Sequence, residues 1–118
     1  MATKTERRHT AGFISSEANG NRSRLVVTVD GAATTSAGLS SGTVMGKVTS
    51  GGKYIAYVDG ASDGSGVAAG ILIEELDTGA ADSSATLIAK DAEINTDEIT
   101  GSDAAGKLEL EALGIVYR

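Results

Sequence analysis

The sequence predicts a small, mainly β domain with one short helix near its C-terminal end. Apolar and β-branched residues come in short runs, which are typical of strands. The 118 residues include 16 glycines and no proline, a composition that favours many turns between such strands. Only the stretch after residue 102 combines a capping residue, helical spacing of apolar residues and a terminal glycine.

The first 24 residues form a polar segment that differs in composition from the rest. Its only large aliphatic or aromatic residues after Met1 are Phe13 and Ile14, and it carries five of the ten basic residues. Such a segment buries too little apolar surface to order itself alone. We therefore predict two units, an extended arm over 1–24 and a β-rich domain over 25–118.

Three strands are expected in the first half of the domain. The run 25–29 is β-branched and ends at Asp30-Gly31. The runs 44–48 and 54–58 flank Ser50-Gly51-Gly52, which predicts a hairpin with both tyrosines of the second strand on one face. Gly46 interrupts the first of these runs and indicates a bulge or a close backbone approach.

The second half is expected to hold two longer strands, over 67–76 and 84–90. We interpret 91–95 as a short continuation of the latter. A helix is expected from about Ala104, capped by Ser102 or Asp103, with Leu108 and Ala112 on one face. Gly114 suits the residue after a helix end, and 115–117 suits a terminal strand.

Composition and charge exclude several classes of function. The chain has no cysteine, so disulfides, thiolate metal sites and a cysteine nucleophile are excluded. The body beyond residue 24 is acidic, which argues against a nucleic-acid-binding face. No apolar run is long enough to predict a membrane helix, and residues 1–9 lack the apolar stretch of a signal peptide.

No group of residues predicts a catalytic, cofactor or metal site. The single histidine, His9, lies in the polar arm, where it has no fixed partners. The loop 59–64 resembles half of a calcium loop, but Ala61 and Gly70 stand where oxygen ligands are needed, so a turn capped by aspartate is expected instead. Glu74 and Glu75, neighbours on a strand, would point to opposite faces. We expect no enzyme and no cofactor.

Four stretches in the same order resemble the lambda-like bacteriophage head decoration proteins. The first, 12–24, contains an aliphatic pair, Ser-Glu-Ala and Arg-Ser-Arg. The second is the glycine-containing strand and hairpin over 42–58. The third is Ala-Ser-Asp-Gly at 61–64 leading into 68–72. The fourth pairs Asp-Ala-Glu-Ile-Asn at 91–95 with Ala-Leu-Gly-Ile-Val at 112–116.

This resemblance implies a β-tulip or barrel-like fold and a role in decorating phage capsids. It implies homotrimers bound to the outer surface of the expanded head in the virion, after synthesis in the host cytoplasm. The arm would pair with the major capsid protein, with no nucleic acid and no membrane as partner. The residues implied to bind the capsid are Phe13, Ile14, Ser15, Ser16, Glu17, Arg22 and Arg24.

The physical chemistry of the arm fits that implication. An extended segment can add a strand to an exposed sheet edge, with Phe13 and Ile14 filling pockets and Arg22 and Arg24 pairing with capsid carboxylates. The alternative is a carbohydrate- or host-binding β-module on the virion surface. Such a module needs an aromatic platform, and the chain has three tyrosines, one phenylalanine and no tryptophan. A small enzyme is the third possibility.

Overall fold

The structure is a computed structural model that describes residues 10–18, 22–31, 39–76 and 82–118. The described residues form eight strands, one short 3-10 helix over Thr96–Glu98 and one α-helix. These are β1 (Ile14–Glu17), β2 (Arg24–Val29), β3 (Val44–Lys47), β4 (Tyr54–Ala56), β5 (Ala68–Leu72), β6 (Ser83–Ile88), β7 (Ala92–Ile94), α1 (Ala104–Ala112) and β8 (Ile115–Tyr117). The mainly β fold and the single C-terminal helix are confirmed.

Five strands close into a barrel in the order β2-β4-β3-β5-β6. Neighbouring strands are antiparallel except β2 and β4, which are parallel and share the single residue pair Val29–Tyr54. Alternate residues of each strand point inward, as Val27 opposite Ala85 illustrates. The inward side chains form one buried core: Val27, Val29, Leu39, Met45, Tyr54, Leu72, Ala85 and Leu87.

The remaining three strands form a separate sheet in the order β1-β7-β8. β7 lies in the middle, antiparallel to β1 and parallel to β8. The prediction that 91–95 continues the preceding strand is therefore wrong. The chain turns at Asp91, whose φ is +50°, and this left-handed backbone directs β7 out of the barrel and into the second sheet.

A second core lies between the barrel wall and the layer made by this sheet and α1. The outward side chains of the wall include Val44, Ile71 and Ile88, all fully buried. They pack with residues of the three-stranded sheet and of α1 in one cluster: Phe13, Val44, Tyr57, Ala68, Ile71, Ile73, Ile88, Ala92, Ile94, Leu110 and Ile115. The wall is thus covered by apolar side chains on both faces where these strands meet.

The predicted hairpin and the close approach at Gly46 are both confirmed. β3 and β4 pair antiparallel through a turn in which Gly51 and Gly52 have φ of +89° and +72°. A side chain at Gly46 would place its Cβ 2.8 Å from the Cα of Ser65. The register between β3 and β5 shifts at this residue.

The two tyrosines of this hairpin do not share a face, contrary to the prediction. Tyr54 lies in the barrel core, whereas Tyr57 lies in the second core. β4 ends at Ala56, and positions three apart on a strand point to opposite sides.

The helix has the expected ends and buries the face that carries Gly106 and Leu110. Asp103 caps it by accepting a 2.7 Å hydrogen bond from the amide of Gly106, and Gly114 follows its end with a φ of +85°. Leu108 and Ala112, expected on one face, are both exposed, Leu108 to 67%, while Leu110 is fully buried. The Tyr57 ring lies against Gly106, so the face carrying Gly106 and Leu110 turns inward. No helix in the described ranges could span a membrane.

Replacing Leu110 with alanine should destabilise the protein by about 2–5 kcal/mol, because a fully buried leucine leaves a cavity. The matched change Leu108→Ala, two residues away on the same helix, should alter stability by less than about 0.5 kcal/mol. Urea unfolding followed by circular dichroism measures both. Equal losses would show that the exposed and buried faces of α1 have been assigned incorrectly.

Candidate interaction surface

Phe13, the first predicted capsid-binding residue, lies inside the protein. Its side chain is 1% exposed and belongs to the second core. Two backbone hydrogen bonds attach this segment to the body. The amide of Ala11 donates to the carbonyl of Ile73, and the amide of Asn95 donates to the carbonyl of Phe13. While this arrangement holds, the ring anchors residues 10–18 to the body and is not accessible to a partner.

The described part of the predicted arm is therefore packed against the domain. Residues 10–18 and 22–24 are described, and residues 1–9 and 19–21 lie outside the described residues. The composition of the segment is polar, but one aromatic ring and one strand pairing are enough to attach it. The expected division into an arm over 1–24 and a domain over 25–118 stays a prediction.

β1 is an edge strand with an exposed polar surface. Ile14 is half-buried, whereas Ser15 and Ser16 are exposed. Ile14 lies opposite Ile94 of β7, and Ser16 lies opposite the next residue along, Glu93. The register therefore shifts at Ser15. In the described chain no strand pairs with the other edge of β1. Edge strands of this kind are where a further strand can add.

Glu17 and Arg24 bind each other. The Nε and Nη2 atoms of Arg24 donate hydrogen bonds of 2.9 and 2.6 Å to the two carboxylate oxygens of Glu17. The hydrogen bond from Arg24 holds the pKa of Glu17 below its ordinary value, and that from Glu17 raises the pKa of Arg24. Arg24, predicted to pair with a capsid carboxylate, therefore already has a bidentate internal partner.

Ser23, between the two arginines of the motif, is fully buried. Its Oγ accepts a 3.0 Å hydrogen bond from the amide of Ala18 and donates one of 2.9 Å to the carbonyl of Asp91. Arg22 lies 3.8 Å from the Asp91 carboxylate. We call Glu17, Arg22, Ser23, Arg24 and Asp91 the corner lock, because they join the end of β1, the start of β2 and the turn into β7.

The connection between Ser23 and Asp91 was not predicted from the sequence. Both residues belong to stretches that resemble the family, Arg-Ser-Arg at 22–24 and Asp-Ala-Glu-Ile-Asn at 91–95. A small hydroxyl residue between two arginines gave no indication of a partner 68 positions away. Only the fold brings the two stretches together.

Three of the predicted residues, Ser16, Glu17 and Arg22, line one shallow concavity of about 430 Å³. The rest of its lining comes from the end of β1, from β7 and its preceding turn, and from the end of α1 and β8: Ala18, Asp91, Ala92, Glu93, Gly114 and Val116. Val116 contributes a half-exposed apolar side chain, and Glu93 binds Arg118 at 2.6 Å. The lining thus combines a half-exposed apolar side chain with charged groups of both signs.

The loop 59–66 has the turn geometry that was predicted. The Oδ1 atom of Asp63 accepts hydrogen bonds from the Ser65 hydroxyl and, at 3.0 Å, from the Ser65 amide, and these two contacts lower the pKa of Asp63. Among the described residues no group of three or more His, Cys, Asp or Glu side chains could hold a metal ion. His9 lies outside the described residues.

Comparison with protein families decides the relationship. The family model of the bacteriophage lambda head decoration protein D matches residues 3–115, nearly the whole chain. The chain belongs to this family. It is a family of structural proteins of the phage head, so membership supports a role in capsid decoration and a place on the virion capsid. A search of curated proteins gives no match.

Within this decoration-family chain, Ser23→Ala should reduce stability by about 1–3 kcal/mol, because removing a buried hydroxyl leaves the Asp91 carbonyl with one hydrogen bond fewer. Ser16→Ala, an exposed serine in the adjacent strand, is the matched control and should change little. Chemical denaturation of the two variants provides the comparison. A Ser23 variant as stable as the control would remove the corner lock from the account of the fold.

The contribution of Glu17 to stability should depend on pH. Its pKa is lower in the folded protein than in the unfolded chain because Arg24 donates hydrogen bonds to its carboxylate. The stabilisation is therefore present above the ordinary value of 4.5 and disappears as the pH falls through the lowered folded pKa. The stability difference between wild type and Glu17→Gln should be larger at neutral pH than in strong acid. A difference that does not change with pH would contradict this pairing.

Proposed function

We propose that this protein decorates the outside of the expanded phage head as trimers and stabilises the shell against the pressure of packaged DNA. The family match over residues 3–115 is the observation that carries the proposal. The protein would be made in the host cytoplasm and would bind the major capsid protein. Its role would be structural, with neither catalysis nor nucleic-acid binding.

The capsid-facing surface in this proposal is the exposed face of the β1-β7-β8 sheet. The same sheet buries Ala92, Ile94 and Ile115 on its inner side. Their immediate neighbours along each strand therefore point outward. The outward face carries Ser16, Glu93 and Val116 and includes the concavity described above. Three of the residues that the family resemblance implied lie here, which supports this choice.

Within that surface the N-terminal segment would act in two parts. Phe13 would serve as an anchor that fixes the start of β1, while residues 1–9 and the free edge of β1 would reach the capsid. A capsid strand added to this edge would gain main-chain hydrogen bonds without specific pockets. Arg22, which is exposed and 3.8 Å from Asp91, is the motif arginine better placed to pair with a capsid carboxylate.

Stabilisation of the shell follows from binding linkage. A protein that binds only the expanded lattice lowers the free energy of that state and not of the unexpanded one. Each contact can be weak, because several arms in one trimer raise the effective local concentration. The free energy gained on binding then opposes the outward force of the packaged DNA.

The alternative, a carbohydrate- or host-binding module, has less support from the structure. Three of the four aromatic rings, those of Phe13, Tyr54 and Tyr57, are buried. The fourth, Tyr117, shares a 2.7 Å hydrogen bond with Ser102 and carries the ammonium of Lys107 at 5.4 Å from its ring centre. The described residues therefore present no platform of stacked aromatic rings.

Co-sedimentation with capsids of the cognate phage tests the proposal. Wild type should bind expanded shells to saturation and unexpanded shells weakly, and the decorated expanded shells should burst at a higher temperature than bare ones. Val116→Asp, which adds a charge to the lining of the concavity, should weaken binding at least about tenfold, because a charge left unpaired in an interface costs several kcal/mol. Ser50→Asp, in the exposed β3–β4 turn, is the control.

A truncation lacking residues 1–9 separates the contribution of the arm to capsid binding from that of the sheet. The deletion must stop before Thr10. A longer one would reach the segment that packs into the second core, where Phe13 is buried. The truncated protein should fold normally and bind expanded shells less tightly. Equal binding of wild type, the truncation and Val116→Asp would exclude this surface, and no binding of wild type to either shell would exclude the decoration role itself.

A further inference from the structure

The structure describes three Asp-Gly dipeptides, at 30–31, 59–60 and 63–64. An Asp-Gly dipeptide can rearrange without an enzyme, because glycine has no side chain to hinder attack of its amide nitrogen on the preceding carboxyl group. The reaction requires that this amide and this carboxyl group are both free to meet. The three sites differ in whether their hydrogen bonds allow it.

At the first site the reacting amide is already bound. The amide of Gly31 donates a 3.2 Å hydrogen bond to the carboxylate of Asp82, which also binds the ammonium of Lys53 at 2.7 Å. Gly31 is buried, and the amide of Asp30 donates to the carbonyl of Tyr54. Attack by the Gly31 nitrogen would first break a hydrogen bond to a charged acceptor, which is stronger than one between neutral groups.

At the third site the carboxyl group is bound instead. Asp63 accepts hydrogen bonds from the hydroxyl and the amide of Ser65, and both lower its pKa. A lowered pKa opposes the reaction, because the carboxyl group must be protonated to lose its oxygen as water. The peptide bond is also fixed: Thr49 donates a 2.8 Å hydrogen bond to the carbonyl of Asp63, and a Cβ at Gly64 would lie 2.7 Å from the carbonyl oxygen of Lys47.

The second site has neither restraint. In the described chain the carboxylate of Asp59 has no hydrogen bond or ion pair, and the amide of Gly60 has no acceptor. Both residues are exposed, and a Cβ at Gly60 would meet no atom within 4 Å. The turn around them is closed by a 3.2 Å hydrogen bond from the amide of Ala61 to the carbonyl of Val58. Both reacting groups therefore lie in water, on a turn with room to change conformation.

We propose that Asp59 is the residue at which this protein isomerises spontaneously to isoaspartate. The amide nitrogen of Gly60 attacks the side-chain carboxyl carbon of Asp59, and the amide proton leaves with the carboxyl hydroxyl as water. The resulting succinimide ring then takes up one water molecule at its backbone carbonyl carbon. After this step the main chain runs through the former side chain, and the freed backbone carboxyl group becomes the new side chain.

The product is a substrate for a defined class of enzyme. Methyltransferases that use S-adenosylmethionine transfer its methyl group to the carboxylate of isoaspartate and release S-adenosylhomocysteine. The turn at Asp59 is exposed and lies outside the strands and helices. An enzyme of this class can therefore reach the modified residue while the protein stays folded.

The rearrangement should change the turn and leave the fold intact. It adds one methylene group to the backbone between Val58 and Ala61, so it should break the hydrogen bond that closes the turn. Neither Asp59 nor Gly60 belongs to a core, and the negative charge is kept. This chemistry does not depend on the proposed function. In a finished particle, whose chains are not replaced, the modified fraction would rise with age.

Ageing the full-length protein in mildly acidic buffer tests the proposal. Peptide mapping with electron-transfer fragmentation locates isoaspartate, and transfer of a labelled methyl group by a purified isoaspartyl methyltransferase counts it. Isoaspartate should form at Asp59 at least about tenfold faster than at Asp63 or Asp30, because each of those sites must first lose a hydrogen bond that involves a charged group. Asn19-Gly20, outside the described residues, lies in a different tryptic peptide and is scored separately.

The same ageing in urea is the control for the role of the fold. The three dipeptides are chemically alike, so they should form isoaspartate at similar rates once the chain is unfolded. A preference for Asp59 that is present in the folded protein and lost in urea would support the proposal. The same preference in urea would overturn it, because the fold would then not select the site.

Asp59→Asn and Asp63→Asn form a matched pair with a simpler readout. Asparagine closes the same succinimide ring with loss of ammonia, so each event leaves a permanent increase in mass. Asp59→Asn should deamidate at least about tenfold faster than Asp63→Asn, whose side-chain oxygen can still accept hydrogen bonds from Ser65. Equal rates in the two folded variants would contradict the proposal. So would a folded wild type with no more isoaspartate at Asp59 than at the other two sites, whether or not a variant folds.

Discussion

Much of the fold depends on a barrel wall that is buried on both faces. In β5 the consecutive residues Ile71 and Leu72 point to opposite sides, and Leu87 and Ile88 do the same in β6. A chain with one phenylalanine and no tryptophan has few large side chains with which to fill a single core. By covering two faces of the same strands with aliphatic side chains, the protein removes more apolar surface from water than one covered face would.

The corner lock makes this two-layer arrangement possible. The chain must leave the barrel after β6 and return above it as β7, and Asp91 makes that turn with a left-handed backbone. The Ser23 hydroxyl donates a hydrogen bond to the carbonyl of Asp91. The Glu17–Arg24 pair joins the end of β1 to the start of β2. Motif residues that resemble the family pattern therefore have internal partners, which is a physical reason for them that is independent of the capsid.

Local features of the fold could be predicted from the sequence, because short-range chemistry determines them. The cap at Asp103, the glycine after the helix and the close approach at Gly46 each depend on a few neighbouring residues. The buried face of α1 could not be predicted, because Leu108 and Leu110 are equivalent until a partner surface is known. For the same reason Phe13, in a polar segment, gave no sign that its ring would enter a core made by residues far along the chain.

In the small sheet, β7 lies between β1, near the start of the described chain, and β8, at its end. This position has a consequence for how the protein folds during synthesis. Ile14 pairs with Ile94, and Ala92 pairs with Ile115, so the small sheet joins segments synthesised at widely different times. Pairings this distant in sequence are slow to form, because a long loop must close first. The barrel strands are complete earlier, but the outer face of their wall stays uncovered until Leu110 and Ile115 leave the ribosome. A nascent or truncated chain would therefore expose an aliphatic surface that invites aggregation and recognition by chaperones.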